Sequence, residues 1–250
     1  MLLTRIRKWL WKLRVQGFWF TVINQVSHRR GKQSLFRKKL AGNVPWLYGR
    51  ATGTDEWVYQ QVFDAEEYGI VPSDTEVKVI IDGGANVGYT SVYFAIRFPG
   101  AKVIAIEPDP DNYAILLLNV DCYENIIPLN AAVWGKSGYI SMAEDTFRDG
   151  GAWAKTVSPN SGSVKAYTID EVMHIYHHQG KSIVKLDIEG AETHVFQNGP
   201  SSWLKNCSYV VMEIHTDSEF GDPTSLIHYA INQLSFTMQS RGELVLFSRP

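Results

Sequence analysis

The sequence has 250 residues, of which 45% are hydrophobic and 20% are charged, so it can bury one substantial core. This length fits one α/β domain with an N-terminal extension. The two cysteines, Cys122 and Cys207, lie far apart in the sequence and form no C-x-x-C motif, so the sequence supports neither a disulfide framework nor a cysteine zinc cluster. We therefore expect a cytoplasmic protein with two small, semi-buried thiols.

Charge is divided unevenly along the chain, although the formal net charge is only −2. Residues 1–50 hold 12 of the 24 Lys and Arg residues and none of the 26 Asp and Glu residues. A globular domain does not need such a division. The basic segment is therefore expected to meet an anionic partner or to dock on the acidic remainder of the chain.

The start of this basic segment also has a helical pattern. Arg and Lys side chains flank an apolar stripe that consists of Leu2, Leu3, Ile6, Trp9, Leu10 and Leu13. The pattern is typical of a helix that lies in a membrane interface, whereas the apolar run over residues 18–23 is too short to span a bilayer. Three interpretations stay open: residues 1–40 bind an anionic membrane surface, pack on the domain, or form a targeting segment.

The basic segment is followed by a stretch with a different composition. Residues 42–53 are rich in Gly and include Pro45, and they are predicted to form a linker. We accordingly divide the chain into a basic amphipathic extension over residues 1–50 and a folded domain over residues 51–250.

A predicted helix over residues 54–67, capped at Thr54 or Asp55, leads to the most informative segment of the chain. Residues 77–88 read V-K-V-I-I-D-G-G-A-N-V-G, an apolar strand that ends in a Gly-rich turn, and a helix is predicted over residues 89–97. Together these elements form a cradle for a nucleotide cofactor, because backbone N–H groups and the positive end of the helix dipole face the ligand.

Two cofactors compete for this turn. A dinucleotide fingerprint aligned on Gly83 and Gly88 has Ala85 at the place where a second Gly must let a pyrophosphate approach, which weakens NAD. The pattern acidic-x-Gly-x-(Gly or Asn)-x-Gly is typical of S-adenosylmethionine-dependent methyltransferases, and it fits Asp82, Gly84, Asn86 and Gly88 without a gap. Asp82 is then expected to face the amino acid end of the cofactor. A purely structural turn stays an alternative.

A second acidic residue supports the cofactor hypothesis. The strand predicted over residues 101–106 ends at Glu107 in the sequence Ile-Glu-Pro-Asp, where a carboxylate can accept hydrogen bonds from both hydroxyls of a ribose. The Gly-rich turn alone is a weak signal, and Glu107 on the next strand strengthens it.

The rest of the domain alternates between predicted strands and helices. Strands are predicted over residues 77–82, 101–106, 126–133, 183–187 and 208–214, and helices over residues 89–97, 110–120, 168–178 and 190–198. Such alternation with short connections predicts a parallel sheet with right-handed crossovers. Residues 235–239 and 243–248 are predicted to form a hairpin, and the Gly-rich run over residues 143–163 is predicted to form a long loop.

The chain resembles the FkbM family of methyltransferases in five motifs that occur in the family's order. They are Ile-Asp-Gly-Gly-Ala-Asn-Val-Gly-Tyr, Glu-Pro-Asp-Pro, Asn130-Ala131-Ala132-Val133, Lys-Leu-Asp-Ile-Glu-Gly-Ala-Glu and Glu-Ile-His. The resemblance implies a class I methyltransferase fold, a Rossmann-like, doubly wound and mostly parallel sheet with a C-terminal antiparallel hairpin. It also implies that S-adenosylmethionine is bound by Asp82, Gly83, Gly84, Asn86, Gly88, Glu107, Pro108, Ala131 and Ala132.

Polar residues that follow two later strands are the candidates for catalysis, because the carboxyl ends of parallel strands meet at one crevice. They are Asp187, Glu189, Glu213 and His215. A sugar hydroxyl is a poor nucleophile at neutral pH, so we favour His215 as a general base, with Asp187 as the alternative. Glu189 and Glu213 would orient the acceptor. The same four side chains could instead hold Mg²⁺ or Mn²⁺, and a structural role for His215 stays open.

The leading hypothesis is an S-adenosylmethionine-dependent O-methyltransferase that acts on a hydroxyl of a sugar, a glycan or a related secondary metabolite. The family resemblance suggests that substrate class. A nucleic-acid methyltransferase is disfavoured, because the acidic domain repels phosphates and the sequence contains neither an Asn-Pro-Pro-aromatic motif nor a Pro-Cys nucleophile. A non-catalytic, membrane-docked protein that has kept the fold is the other alternative. The expected location is the cytoplasm, free or peripheral at a membrane.

Overall fold

The structure is a computed structural model that describes residues 35–40, 45–51, 54–74, 76–144, 155–158, 162–176, 180–197 and 202–249. The predicted amphipathic stripe therefore lies outside the described residues. Within the described ranges, no helix is long and apolar enough to cross a membrane. Cys207 is buried and Cys122 is exposed, and both are free thiols.

The described residues form strands and helices that largely alternate. The strands are β1 (Leu35–Lys39), β2 (Trp46–Arg50), β3 (Val77–Gly83), β4 (Lys102–Ile106), β5 (Ile126–Leu129), β6 (Ala132–Val133), β7 (Gly138–Glu144), β8 (Lys155–Ser158), β9 (Val164–Tyr167), β10 (Lys181–Leu186), β11 (Tyr209–Glu213), β12 (Thr237–Arg241) and β13 (Leu244–Ser248). The helices are α1 (Asp55–Tyr59), α2 (Tyr89–Arg97), α3 (Pro110–Val120), α4 (Ile169–Ile175), α5 (Glu192–Phe196), α6 (Ser202–Asn206) and α7 (Thr224–Asn232).

A seven-stranded sheet in the order β5-β4-β3-β10-β11-β13-β12 forms the centre of the domain. Neighbouring strands from β5 to β11 run parallel, whereas β13 pairs antiparallel with both β11 and β12. This topology confirms the predicted doubly wound, mostly parallel sheet with a C-terminal antiparallel hairpin. The first strand of the hairpin begins at Thr237, later than the predicted residue 235.

Helices cover both faces of this sheet, because successive side chains of a strand point to opposite sides. Ile80 of β3 packs in a core that includes Phe94 of α2 and Leu116 of α3. Its neighbours Val79 and Ile81 pack in a second core, which contains residues of α4, α5, α6 and α7. The central strands are therefore apolar on both faces, as expected of a buried parallel sheet.

Residues 46–50, predicted as part of a linker, form strand β2 instead and pair antiparallel with β1. The side chain of Asn119 on α3 accepts a hydrogen bond from the Tyr48 N–H at 2.7 Å and donates to the Tyr48 carbonyl at 3.0 Å. Arg50 forms an ion pair of 2.8 Å with the buried carboxylate of Asp55. The linker prediction was wrong here because β2 is fixed by contacts to residues outside the stretch, which local composition cannot reveal.

The helix predicted over residues 54–67 is divided into shorter pieces. α1 continues into a π-helical turn over Gln60–Asp64, and a 3₁₀ turn follows over Glu67–Ile70. Thr54 makes no side-chain cap bond, and Asp55 is taken up by its ion pair with Arg50. Thr54 occupies the predicted N-cap position, but its side chain does not cap the helix. π-helical turns occur frequently at functional sites.

A small second sheet in the order β6-β9-β7-β8 lies beside the main one. The strand predicted over residues 126–133 is interrupted at Asn130 and Ala131, so that β5 belongs to the main sheet and β6 to the small one. β8 lies inside the loop predicted over residues 143–163, and the loop prediction was wrong for that part. Residues 145–154 lie outside the described part of the chain.

The order in which strands are added to the main sheet reverses at β3. The chain passes from β3 to β4 and β5 on one side and then continues with β10 and β11 on the other side. In doubly wound sheets, ligands bind beyond the carboxyl ends of the strands at this reversal. The residues that follow β3, β4, β10 and β11 are therefore the first place to look for a site.

Candidate active site

The Gly-rich turn follows β3 directly and is held by backbone hydrogen bonds. The N–H groups of Gly84 and Ala85 both donate to the carbonyl of Ile106 at 3.0 Å. Gly84 has a φ of +73°, and a Cβ added there would lie 1.7 Å from the carbonyl oxygen of Asp187. Gly88, with a φ of +86°, stands immediately before α2. Glycine is required at Gly84 because any side chain would push the turn away from the end of β10.

A buried ion pair supports the turn from behind, and the sequence analysis did not assign its lysine. Nζ of Lys185 is 3.1 Å from Oδ1 of Asp82, and it donates to the carbonyls of Gly83 at 3.3 Å and Gly84 at 2.7 Å. The hydroxyl of Ser91 donates to the other oxygen of Asp82 at 2.6 Å. Burial alone would lower the pKa of Lys185, but the charge of Asp82 raises it, so Lys185 stays protonated.

Lys185 has a signal that sequence reasoning could have used. It lies inside the apolar run of β10, and lysine is almost never fully buried unless it is paired. Its partner Asp82 is also fully buried. The structure thus uses Asp82 to hold Lys185 and the turn, whereas the sequence analysis expected this carboxylate to face the cofactor.

Glu107 lies at the end of β4 and is almost wholly buried. Its Oε2 accepts a hydrogen bond from the N–H of Asn86 at 2.8 Å. Its Oε1 accepts from the N–H of Asp109 at 2.9 Å and from the side chain of Asn112 at 3.3 Å. Burial raises the pKa of Glu107 to about 7, although these hydrogen bonds oppose the change. The carboxyl group is therefore fixed in orientation and titrates near neutral pH.

A cavity beside the turn and Glu107, here called the turn cavity, contains five of the predicted cofactor-binding residues in its lining. They are Gly84, Asn86, Glu107, Pro108 and Ala132. The remaining four, Asp82, Gly83, Gly88 and Ala131, do not line it. Asn112 of α3 and Met142 of β7 line it as well. Sequence reasoning missed both, because a pattern of strands and helices does not reveal which side chains of neighbouring elements reach a crevice.

His215 lies shortly after β11 among four carboxylates. Its Nδ1 is 3.0 Å from Oε1 of Glu192. Its Nε2 is 3.5 Å from a carboxylate oxygen of Glu213, 3.7 Å from one of Glu189 and 3.8 Å from one of Asp187. The structure therefore brings all four predicted catalytic residues together. It adds the buried Glu192 at the start of α5, which the sequence analysis did not place in this group.

These carboxylates determine the charge of the imidazole. Burial alone would lower the pKa of His215, but hydrogen bonds with Glu192 and Glu213 and the charge of Asp187 raise it to about 11. His215 therefore carries a proton at neutral pH, and both ring nitrogens are donors. A protonated imidazole cannot take a proton from a hydroxyl, so this geometry does not suit His215 as a general base.

Asp187, unlike His215, is suited to accept a proton. Its side chain is 32% exposed, and its backbone N–H donates to the carbonyl of Gly83 at 3.2 Å. Desolvation and the nearby charge of Glu213 raise the pKa of Asp187, while Lys185 and His215 act in the other direction. A carboxylate with a raised pKa is a stronger base than an ordinary one, and it stands where a reacting group can reach it.

A second cavity of about 480 Å³, here called the acidic cavity, meets the turn cavity at Asp187. The lining residues that both cavities share are Gly84, Asn86, Asp187 and Glu189. The other walls of the acidic cavity include residues of α1, the π-helical turn and the C-terminal hairpin. Five carboxylates line it, those of Glu67, Asp187, Glu189, Glu213 and Glu243.

Three residues of this region also have the spacing of a metal site. Asp187, Glu213 and His215 each offer one ligand atom, and these atoms lie within 4.8 Å of one another. Carboxylate oxygens suit Mg²⁺ and Mn²⁺. His215 would have to lose its proton first, because metals bind the neutral imidazole. The imidazolium already supplies a positive charge at this position.

The protein is Rossmann-like, because its sheet is doubly wound and a glycine turn follows the buried Asp82 of β3. Its two cavities lie where the strand order reverses. The profile of the methyltransferase FkbM domain matches residues 82–242. The chain therefore belongs to the FkbM methyltransferase family, which confirms the predicted resemblance.

The chain is also similar to individual known proteins. The chain is 29% identical over 175 residues to the hexuronic acid methyltransferase AglP of Haloferax volcanii, an alignment that covers 70% of this chain and 71% of the relative. It is 24% identical over 196 residues to the methyltransferase sdnD of Sordaria araneosa, covering 63% of this chain and 74% of the relative. A solved FkbM methyltransferase from Methylobacillus flagellatus KT is similar over 76% of this chain and 48% of its own, with 14% identity and a TM-score of 0.48.

Proposed function

We propose that this protein transfers a methyl group from S-adenosylmethionine to a hydroxyl group of a sugar, a glycan or a related secondary metabolite. The observation that carries the proposal is the meeting of the turn cavity and the acidic cavity at Asp187. Methyl transfer is an in-line displacement, so the cofactor and the acceptor must be held end to end. The name of one relative, a hexuronic acid methyltransferase, supports a sugar as the acceptor, and the name of the other supports methyl transfer.

The turn cavity suits this cofactor because its described lining residues include carboxylates and no Lys or Arg that would bind a pyrophosphate. Glu107 would accept hydrogen bonds from the ribose hydroxyls with the lone pairs that its three protein donors leave. Asp187 and Glu189 at the junction of the cavities would attract the positive charge of a sulfonium. S-Adenosylmethionine, when bound, supplies an electrophilic methyl group. The sequence also has Ala85 where a dinucleotide fingerprint needs glycine.

We assign the role of general base to Asp187 in preference to His215. Asp187 would take the proton of the acceptor hydroxyl, whose oxygen would accept the methyl group that S-adenosylmethionine supplies, with S-adenosylhomocysteine as the leaving product. Its raised pKa and its place at the junction of both cavities support this role. His215, protonated, would hold Asp187, Glu189 and Glu213 in position and limit their mutual repulsion.

A divalent cation bound by Asp187, Glu213 and His215 is the competing mechanism. We favour the route without a metal, because the protonated imidazole and a cation would compete for the same carboxylates. Turnover should therefore be unchanged in a chelator. Loss of turnover in the chelator and its recovery with Mg²⁺ or Mn²⁺ would favour the metal instead.

The proposed cofactor is tested by calorimetric titration of the full chain with S-adenosylhomocysteine, with NAD as the control. We expect S-adenosylhomocysteine to bind and NAD to give no signal. Binding of NAD alone would contradict the proposal and favour an oxidoreductase. Absence of binding by either compound would favour a non-catalytic protein that has kept the fold.

We also propose that the basic segment attaches the protein to an anionic membrane surface. The detachable part is residues 1–34, because β1 begins at Leu35 and its hairpin is fixed to α3 through Tyr48 and Asn119. An apolar stripe and roughly 1 kcal/mol per Lys or Arg near the surface would both contribute to binding. Deleting residues 1–34 should abolish co-sedimentation with anionic vesicles and leave S-adenosylhomocysteine binding intact. A truncated protein that unfolds would show instead that the segment packs on the domain.

A further inference from the structure

The acidic cavity has a large excess of negative charge. Five carboxylates line it, and the cation among its described lining residues is Lys185, which is already paired with the buried Asp82. The neighbouring imidazolium of His215 is shared by four carboxylates. Among the described lining residues, carboxylates therefore outnumber cations, and this gives that part of the cavity an excess of negative charge.

The pKa of Glu67 on the 3₁₀ turn is changed by the neighbouring carboxylates. Burial and the charges of Glu213 and Glu243 raise the pKa of Glu67, and Arg241 lowers it. The guanidinium of Arg241 donates to the carbonyl of Ala65 at 3.0 Å, so part of its hydrogen-bonding capacity is used outside the cavity. Carboxylates that raise the pKa of one another are stabilised when a cation enters between them.

An aromatic side chain lines the same cavity and gives an independent indication. Trp57 of α1 is 70% exposed, which is unusual for so large an apolar group. The face of an indole attracts a cation, and it also stacks on the apolar face of a sugar ring. An exposed tryptophan beside carboxylates therefore fits a ligand that combines a ring with a positive charge.

We propose that the acidic cavity selects a cationic acceptor, a saccharide that carries a protonated amino group close to the hydroxyl that is methylated. The carboxylates of Glu67, Glu213 and Glu243 would bind the ammonium, and Trp57 would stack on the ring. The cavity would reject a hexuronic acid, whose carboxylate meets like charges on several sides. This inference rests on the proposed function and names the substrate class of the same site.

The experiment compares three sugars that differ in charge. Glucosamine, glucose and glucuronate are titrated by ligand-observed NMR into the full chain saturated with S-adenosylhomocysteine. Saturation is verified first, so that failure of the cofactor proposal is seen separately from failure of the acceptor proposal. We expect glucosamine to bind roughly tenfold more tightly than glucose, the effect of one ion pair worth about 1.4 kcal/mol, and glucuronate to bind most weakly.

Variants show whether these carboxylates cause the preference. Glu67→Gln and Glu243→Gln should each reduce the ratio of glucosamine to glucose affinity and improve the binding of glucuronate. Glu124→Gln is the matched control, because Glu124 is exposed and follows α3 at the opposite end of the strands. Trp57→Ala should weaken the binding of glucosamine and of glucose by a similar factor, and Trp57→Phe should retain most of the affinity for both sugars.

Three results would overturn the proposal. One is glucuronate binding as tightly as glucosamine to the wild-type protein. Another is an unchanged order of the three sugars in both glutamine variants. The third is no glucosamine binding at concentrations that saturate weak saccharide sites, in a sample that binds S-adenosylhomocysteine normally.

Discussion

The two halves of the crevice are built by different means. The turn cavity contains the Gly-rich turn and Glu107, whose carboxyl oxygens are held by three donors, beside further side chains such as Asn112 and Met142. The acidic cavity is lined by charged side chains from several elements, and carboxylates outnumber cations among its described lining residues. The Gly-rich turn depends on backbone geometry, which suits an invariant ligand such as a cofactor. The side chains of the acidic cavity can be replaced to suit another acceptor without changing the fold.

Lys185 joins these halves. It lines the acidic cavity, and its ammonium holds Asp82 and the carbonyls of Gly83 and Gly84 behind the turn. A buried lysine of this kind costs desolvation energy, which its contacts with the turn and with Asp82 offset. We therefore predict that substitutions in the turn cavity change cofactor affinity and that substitutions in the acidic cavity change turnover. Substitutions of Lys185 should change the stability of the whole domain.

The largest effect is expected at the junction of the cavities. Asp187→Asn removes the proposed base while it keeps the size of the side chain, so turnover should fall by about 10²–10⁴-fold. Affinity for S-adenosylhomocysteine should stay near that of the wild type. Steady-state kinetics and calorimetry measure the two quantities, and Asp121→Asn, an exposed change at the end of α3, is the control. Full turnover in Asp187→Asn would remove Asp187 from the mechanism.

The next effect concerns stability. Lys185→Met leaves Asp82 as a buried, unpaired charge and should lower the free energy of unfolding by about 3–5 kcal/mol. Lys181→Met on the same strand removes a partly exposed ion pair with Asp74 and should lower the free energy of unfolding much less. Denaturant unfolding compares the two variants.

A double variant tests the cause of this destabilisation. Adding Asp82→Asn to Lys185→Met removes the buried, unpaired carboxylate charge and should recover part of the lost stability. Equal stability of the Lys185→Met and Lys181→Met variants would mean that the buried pair does not hold the turn.

The cofactor half should respond to Glu107. Glu107→Ala should weaken S-adenosylhomocysteine binding by about 1.5–3 kcal/mol, the range for a lost hydrogen bond to a charged group. Turnover at saturating cofactor should fall much less than in Asp187→Asn. Calorimetry with Glu124→Ala as the control measures the change. Unchanged affinity would exclude Glu107 as the ribose acceptor.

A smaller effect is expected from pH. The pKa of Glu107 is raised to about 7, so the carboxyl group is protonated in part of the molecules at neutral pH. Affinity for S-adenosylhomocysteine should rise as the pH increases through about 7, by at most about tenfold per pH unit, because the ionised form is the better acceptor. Domain stability should change in the opposite direction. Ionisation of this buried group opposes folding as the pH increases from its ordinary pKa of 4.5 towards 7.

The same titration in Glu107→Gln gives the control for this pH dependence. The variant carries no ionisable group at this position, so its weaker affinity should be independent of pH in this window. A dependence that persists in Glu107→Gln would assign the titration to another group.

The sequence was sufficient to predict the features that local patterns encode. β3, the Gly-rich turn and the start of α2 occur as predicted, because an apolar run followed by glycine has few other solutions. The convergence of Asp187, Glu189, Glu213 and His215 was also predictable, since the ends of parallel strands meet at one edge. The position of β2 was not predictable, because contacts with the distant Asn119 fix it. At the interruption of the predicted strand, the side chain of Asn130 donates to the carbonyl of Glu107 at 2.9 Å, a contact that a local pattern does not contain.

Charge states were the hardest feature to predict from the sequence. An imidazole near neutral pH looks like a general base. Asp187, Glu189 and Glu192, which are distant in sequence, and the neighbouring Glu213 converge on His215 and keep it protonated. Asp82 looked like a ligand-facing carboxylate, but Lys185 lies on an adjacent strand and binds it. Each case depends on which groups of other elements face the same point, which periodicity along one element does not contain.

The claim that the turn cavity binds the cofactor and the acidic cavity binds the acceptor is tested most directly by a crystal structure of the full chain with S-adenosylhomocysteine. Our account predicts that the ribose hydroxyls contact Glu107 in the turn cavity and that the sulfur faces the acidic cavity beside Asp187. A ribose bound away from Glu107, or a sulfur directed away from Asp187, would contradict it.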